Sequence, residues 1–293
     1  MSFHTTRRNF LGAVGAAGAA ALAPPSASAA IEPSPWGIKL GLATYTFRSF
    51  DRAKTIEFIK EVKTPWVSIK AGVPGKAAPS AMHLPLDGTA EELKAIRKEW
   101  DAAGLTITSS GNVDMTKANT PEAMKKIFEW AKNFGLPMMV CAPTHENMPL
   151  VESMVKEYNI RIAIHNHGPE DKNFPTPESV LDVVRKLDKR CGLCMDVGHS
   201  ERTGIDVVKT IADASDRLFD MHVKDLTDFT SRDSQVDVGD GKIPFPAIFK
   251  QLHKMGYQGC VNLEYEINDK NPMPGVQRSF SYMRGVLAAL AAA

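Results

Sequence analysis

The chain has 293 residues, 43% hydrophobic and 24% charged, with a formal net charge of +1. That composition is ordinary for a globular protein, and the length fits one large domain or two small ones. A near-zero net charge gives no electrostatic basis for binding nucleic acid or an acidic membrane surface.

The N-terminal stretch reads as an address rather than as fold. "TTRRNFLG" carries Arg7-Arg8 ahead of Phe10 and Leu11, a small-residue apolar run extends from Leu11 to Ala23, and Ala27-Ser28-Ala29 offers a cleavage site. The paired arginines resemble a twin-arginine export signal. Residues 1–29 are therefore expected to be a removable signal peptide, and residues 30–293 the mature protein, periplasmic or otherwise exported. The apolar run is too short, and too rich in Ala and Gly, for a stable membrane span.

In chain order, short apolar runs then alternate with longer amphipathic ones. "IKLGLATYTF" predicts a strand and "DRAKTIEFIKEV" a helix opening on Asp51. "WVSIK" predicts the second strand. "TAEELKAIRKEWDAAG" follows as a helix with Thr89 as cap, Glu91 and Glu92 in its first turn and Gly104 as its stop. "LTITSSG" is the third strand, and "TPEAMKKIFEWAKNFG" a helix with Thr120 as cap, Pro121 at its first position and Gly135 as stop. "PMMVCAP" and "MPLVESMVKEYN" form the fourth pair, and "IRIAIHNH" and "TPESVLDVVRKLD" the fifth. "GLCMDVG" and "GIDVVKTIADA" form the sixth, "RLFDMHVKD" and "FPAIFKQLHKMG" the seventh, "CVNLEYE" and "VQRSFSYMRGVLAALAA" the eighth. Regular strand–helix alternation predicts a parallel sheet covered by helices. Eight units in about 260 residues match an α/β fold closed as a single (β/α)8 TIM barrel. The alternative, an open doubly wound sheet, usually has a Gly-rich phosphate turn after its first strand, and "TYTFRSF" is not one. Cys141, Cys191, Cys194 and Cys260 all fall on or beside predicted strands, which predicts buried thiols rather than a redox pair.

Catalytic groups of such a barrel sit at the carboxyl ends of its strands. Here those ends carry Lys70 on the second strand and His165, Asn166 and His167 on the fifth. The sixth carries Asp196 and His199, the seventh His222, Lys224 and Asp225, and the eighth Glu264 and Glu266. Side chains alternate faces along a strand. His165 and His167 thus oppose Ile162 and Ile164, Asp196 opposes Met195, His222 and Lys224 oppose Met221 and Val223, and Glu264 opposes Leu263. One Asp, one Glu and two or more His converge on one mouth. That mixed set suits one divalent metal ion, Mn2+, Mg2+, Co2+ or Zn2+. A lone strand-end His is more often structural, and Lys70, Lys224 and Asp225 alone read as rim ion pairs; the joint pattern on successive strands points to a site. Arg48, Lys70, His83 and Asn112 are further candidates for shaping the pocket, with His83 and Asn112 equally readable as solvated loop residues.

Through "CMDVGH", "DMHVKD", "VGDGKIPFPAIFKQLHKMGYQG" and "VNLEYE" the mature chain resembles the sugar isomerase/epimerase family with a xylose isomerase-like barrel. The resemblance implies Asp196, His222 and Glu264 as ligands of one divalent metal and His199 near the substrate oxygens. Where relatives place a Glu before Asn-His, this chain has His165-Asn166-His167, so an imidazole replaces a carboxylate. His165 is then the fourth expected ligand, with His167, Asn166 and Lys70 as substrate contacts. A His-x-His at this position also resembles related dehydratases acting on keto-cyclitols. Glu170 and Asp171, beyond Gly168-Pro169, are carboxylates able to substitute for the missing Glu.

The implied substrate is a small-molecule keto sugar. A metal polarises its carbonyl as the neighbouring carbon loses a proton. Glu264 is the expected base or bridging carboxylate, its pKa rising if it is poorly hydrated; Lys224 or His199 would hold negative charge on oxygen. Epimerisation, isomerisation or loss of a β-oxygen can follow. An exported, metal-dependent sugar isomerase/epimerase-like enzyme is the expected function. Elimination from a 3-keto-glycoside is the specific alternative, because only Glu264 remains of the two glutamates that such epimerases use. A non-catalytic sugar- or metal-binding protein is a further alternative. A DNA-repair endonuclease on the same barrel needs a basic surface, which the neutral charge does not supply. No nucleic-acid partner is expected, and a homo-oligomer is left open.

Overall fold

Eight parallel strands bury their apolar faces by closing on themselves under a ring of helices. The computed structural model describes residues 36–72 and 83–293, with residues 34 and 79. The expected signal peptide lies outside the described residues. The barrel strands are β1 (Lys39–Ala43), β2 (Trp66–Ile69), β3 (Thr106–Asp114), β4 (Met138–Ala142), β5 (Arg161–His165), β6 (Cys191–Asp196), β7 (Leu218–Val223) and β10 (Cys260–Leu263). Their order, β1-β10-β7-β6-β5-β4-β3-β2, is that of a closed (β/α)8 barrel, as the alternation predicted.

The helices are α1 (Arg52–Val62), α2 (Ala90–Ala102), α3 (Pro121–Phe134), α4 (Met148–Tyr158), α5 (Pro177–Val184), α6 (Val197–Glu201), α7 (Val207–Ala214), α8 (Phe245–Lys254) and α9 (Met273–Ala291). Several start where side-chain chemistry dictates. Asp51 accepts from the Lys54 amide at 2.8 Å, and Thr89 and Glu92 form a reciprocal capping box on α2. Thr120 caps α3 with Pro121 in its first turn, and Gly135 ends it at φ 78°.

Alternation along each strand separates two cores. Ile162, Ile164, Leu193, Met195, Met221, Val223, Val261 and Leu263 point outward and pack with the helices. Inside, Met138, Val140, Ala163, Cys194 and Phe219 form a smaller cluster. Buried Asp220 accepts from Ser109 Oγ at 2.7 Å and Asn262 Nδ2 at 2.8 Å, and burial pushes its carboxyl up to about 6. The four cysteines are buried and unbridged, with Cys191 in the outer core and Cys194 in the inner one.

Three local features depart from expectation. β6 stops at Asp196, whose side chain accepts from the His199 amide at 2.8 Å and turns the chain into α6. His199 thus stands on a helical turn, not on a strand. β8 (Asp225–Leu226) and β9 (Gln235–Val236) form an antiparallel ribbon beyond β7 that was not predicted. β3 runs past Gly111 to Asp114. Among the described residues, no helix is long and apolar enough to cross a membrane.

Candidate metal centre

Strand register brings the candidate ligands together. His165 pairs in register with Cys194, Asp196 with His222, and His222 with Asn262. The Glu264 amide extends the ladder by donating to the Val223 carbonyl at 2.9 Å. Four inward-facing groups from four neighbouring strands therefore meet. One ligand atom each from His165, Asp196, His222 and Glu264 lies within 4.8 Å of the others, and all four residues are buried. His165 Nε2 is 3.0 Å from His222 Nδ1 and 3.7 Å from Asp196 Oδ2, and His222 Nδ1 is 3.4 Å from Glu264 Oε1.

Lys224 reaches into the same cluster. Its ammonium is 3.0 Å from Asp196, 3.1 Å from Glu264 and 2.5 Å from Glu266, with the side chain only 4% exposed. It is not a rim ion pair. Burial opposes its charge, but Asp196, Glu266 and Glu264 outweigh that and raise its pKa well above the ordinary lysine value. Gly198 makes room for the approach, since a Cβ there would stand 2.5 Å from Lys224 Cγ.

The titrations are set by these neighbours. Burial would raise the Glu264 carboxyl, yet His222 and Lys224 hold it well below the usual range. This corrects the expectation of a raised value: the position is dry but strongly cationic. Asp196 is likewise lowered, burial being outweighed by Lys224 and His199. Burial, reinforced by His167 and His222, depresses His165 well below the ordinary imidazole value. For His222 burial acts downward, but Cys194 and the Glu264 carboxylate beside it outweigh that, so its value rises. Imidazoles and ionised carboxylates in contact fit a divalent cation. A buried His165 Nδ1 and an Asp196 Oδ2 without a hydrogen bond of good geometry among the described residues agree with that fit.

Of the cluster, His165 and Glu264 line a chamber of about 520 Å3, together with Tyr45, Lys70, Asn112, His167, Asp171 and His199. His167 Nδ1 is 3.2 Å from Asp171 Oδ2, and its Nε2 is 3.1 Å from Asn112 Nδ2. Lys70 donates to the Asn112 carbonyl at 2.9 Å. Asn166 is placed elsewhere. On the opposite parity to His165 and His167, it is fully buried, accepts from the Asp196 amide at 3.0 Å and donates to Ser200 Oγ at 3.1 Å. It braces the ligand loop and does not line the chamber. His83 is also no pocket residue: it is buried against Thr44, Thr55 and the Phe50 carbonyl, and burial lowers it to about 4. Asp225 accepts from the amides of Gly239, Gly241 and Ile243 at 2.9 to 3.1 Å, which ties down "VGDGKI". Glu170 pairs with Arg202, and Asp171 with His167, so neither carboxylate takes the position of a strand-end Glu. Tyr45, Arg202 and Arg232 were missed, because turns and loops, not strand parity, deliver them.

The sequence model of the xylose isomerase-like TIM barrel matches residues 70–286, and the chain belongs to that family. It is similar to the rhizopine catabolism protein MocC of Rhizobium meliloti, 29% identical over 141 residues, covering 42% of this chain and 42% of that protein. It is also similar to inosose dehydratase of Geobacillus thermodenitrificans, 23% identical over 217 residues and 68% of each chain. Of the first two curated relatives that it matches, the chain spans 40% and 42% of the length. Among solved structures, the IOLI protein with a bound zinc atom superposes with a TM-score of 0.69 at 17% identity, over 86% of this chain and 99% of that one. The 3-keto-D-glucoside 4-epimerase of E. coli gives 0.65 at 18% identity, over 85% and 99%. At these identities the structural likeness is one of fold.

Proposed function

We propose that this chain is a divalent-metal-dependent enzyme of the sugar isomerase/epimerase type, acting on a keto sugar after export. The observation that carries the reading is the convergence of two imidazoles and two carboxylates within 4.8 Å on four neighbouring strands. His165, Asp196, His222 and Glu264 would hold the ion, which when bound supplies Lewis-acid polarisation of the sugar carbonyl. The metal named with the IOLI protein supports a divalent ion in this fold.

The chain's own groups account for the remaining chemistry. Lys224, buried and charged, and His199 would hold developing negative charge on the substrate oxygen. Glu264 stays ionised, as a base must, though His222 and Lys224 make it a weak one. His167 offers a second proton acceptor, oriented by Asp171 at Nδ1 and presenting Nε2 beside Asn112. Lys70 and Asn112 would bind sugar hydroxyls.

A second reading, β-elimination by a lyase or dehydratase, is favoured by His165 standing in for a carboxylate. Elimination needs one base and one acid, not two glutamates facing each other across the substrate. The inosose dehydratase that matches 68% of the chain supports this reading.

Metal analysis followed by incubation with keto sugars and 3-keto-glycosides in D2O tests the proposal. Metal-dependent deuterium uptake with the skeleton intact supports isomerisation or epimerisation, and loss of a substituent supports elimination. Bound metal with neither outcome leaves a binding protein and sinks the enzymatic reading. Glu264→Gln is expected to reduce turnover by about a hundredfold or more; full activity would remove Glu264 from the mechanism.

A further inference from the structure

The metal-centre chamber has a neighbour. A second cavity of about 390 Å3 lies at the same end of the barrel and shares Tyr45, His199, Arg232 and Glu266 with the first. Each is within the range of about 300–1,000 Å3 that encloses a small ligand. The keto sugar described above is placed in the larger one; of the groups assigned to the reaction, Lys224 lines the smaller and His199 lines both.

The second chamber is rich in guanidinium groups from Arg48, Arg202 and Arg232. Arg48 is oriented by backbone carbonyls, donating to Glu266 O at 2.6 Å and Tyr45 O at 3.5 Å, and stands 5.1 Å from the centre of the Tyr45 ring. Carbonyls aim the group without neutralising it, although Asp269 lies close enough to feel its charge. The Arg202 side chain is 6% exposed; it pairs with Glu170 and approaches His199, and its buried Nε has no hydrogen-bond partner among the described residues. Of the two lining carboxylates, Glu266 is engaged by Lys224 and Asp233 is solvent-exposed, against three guanidinium groups. The hydrogen-bonding capacity left for a ligand is therefore mostly donors, which suits an acceptor-rich group.

We propose that the substrate is a two-part molecule. A keto sugar occupies the metal-centre chamber and is joined, across the wall of Tyr45 and Glu266, to an acceptor-rich substituent held by Arg48, Arg202 and Arg232. The substituent is a second sugar ring or a carboxylate-bearing aglycone, both of which present oxygen acceptors to guanidinium groups. This inference rests on the keto-sugar reading of the metal centre.

Calorimetry and turnover with the Mn2+-loaded protein test it. The ligands are a methyl keto-glycoside, a keto-disaccharide and a keto-glycoside with a carboxyphenyl aglycone. At least one two-part ligand is expected to exceed the methyl glycoside by about tenfold or more in affinity and in kcat/KM, the size of one charge-assisted contact. Preference for the carboxyphenyl compound identifies an anionic partner, and preference for the disaccharide a sugar ring. Arg48→Leu and, on an exposed residue less entangled with folding, Arg232→Leu should each shrink the ratio toward one. Equal values for all three ligands, or variants that both keep the full ratio, overturn the proposal. If the two-part ligands bind more tightly but nothing turns over, the reaction fails and the two-part recognition stands; if no keto ligand binds, both fail.

Discussion

Lys224 is the residue on which the electrostatics of the centre depend. Removing one partner from a buried charge cluster costs about 3–5 kcal/mol, because the remaining charges lose compensation. Lys224→Met leaves Asp196, Glu264 and Glu266 without their shared ammonium. Urea denaturation of the metal-free variant is expected to show a loss of about that size, with part recovered on adding Mn2+, a second source of positive charge. An unchanged midpoint without metal would show that the lysine charge does not hold the cluster. Glu201 makes the opposite case. Burial, with Asp206 and Asp225 nearby, raises it to about 7. Its folded-state value lies above the unfolded one, so its contribution is full below the unfolded pKa and is lost as pH rises through about 7. Glu201→Gln removes that loss, so the Tm gain of the variant over the parent should be greater at pH 8 than at pH 5. A gain that does not change with pH would contradict this.

At the scale of elements, α6 converts sequence into site geometry. Asp196 is at once the last residue of β6, the cap of α6 and a candidate ligand. Gly198, in the first turn, leaves the space through which Lys224 passes. Gly198→Ala puts a Cβ 2.5 Å from Lys224 Cγ, so the ammonium must shift. We expect turnover to fall by about a hundredfold, the usual result of displacing a working group by roughly 1 Å, with circular dichroism unchanged. Wild-type turnover would mean that Lys224 need not sit where it does. The strands and the helix caps were readable, because Thr89, Thr120 and Asp51 announce helix starts by chemistry that needs no tertiary context. α6 was not, since "MDVGH" continues the apolar run of a strand and one side-chain acceptor bends it. The ribbon of β8 and β9, two residues each, is too short to show any periodicity.

At the scale of the whole molecule, the N-terminal stretch carries a proposal of its own. We propose that Arg7-Arg8 directs export of the folded protein, a route compatible with a centre loaded before translocation. Replacing both arginines by lysine should shift the protein from the periplasmic to the cytoplasmic fraction with its leader uncleaved; undisturbed export would exclude the twin-arginine route. The alternation of strands and helices, the closed parallel barrel, and the parity that turns His165, Asp196, His222 and Glu264 inward followed from sequence alone, because burial has a period of two on a strand. Tertiary structure decided what those groups then became. Only closure sets Lys224 between three carboxylates, lowers Glu264 where dryness alone would raise it, turns Asn166 into a brace, and divides the barrel mouth into two chambers. Each of those depends on distances between segments far apart in the chain, and side-chain periodicity within one segment carries no information about them.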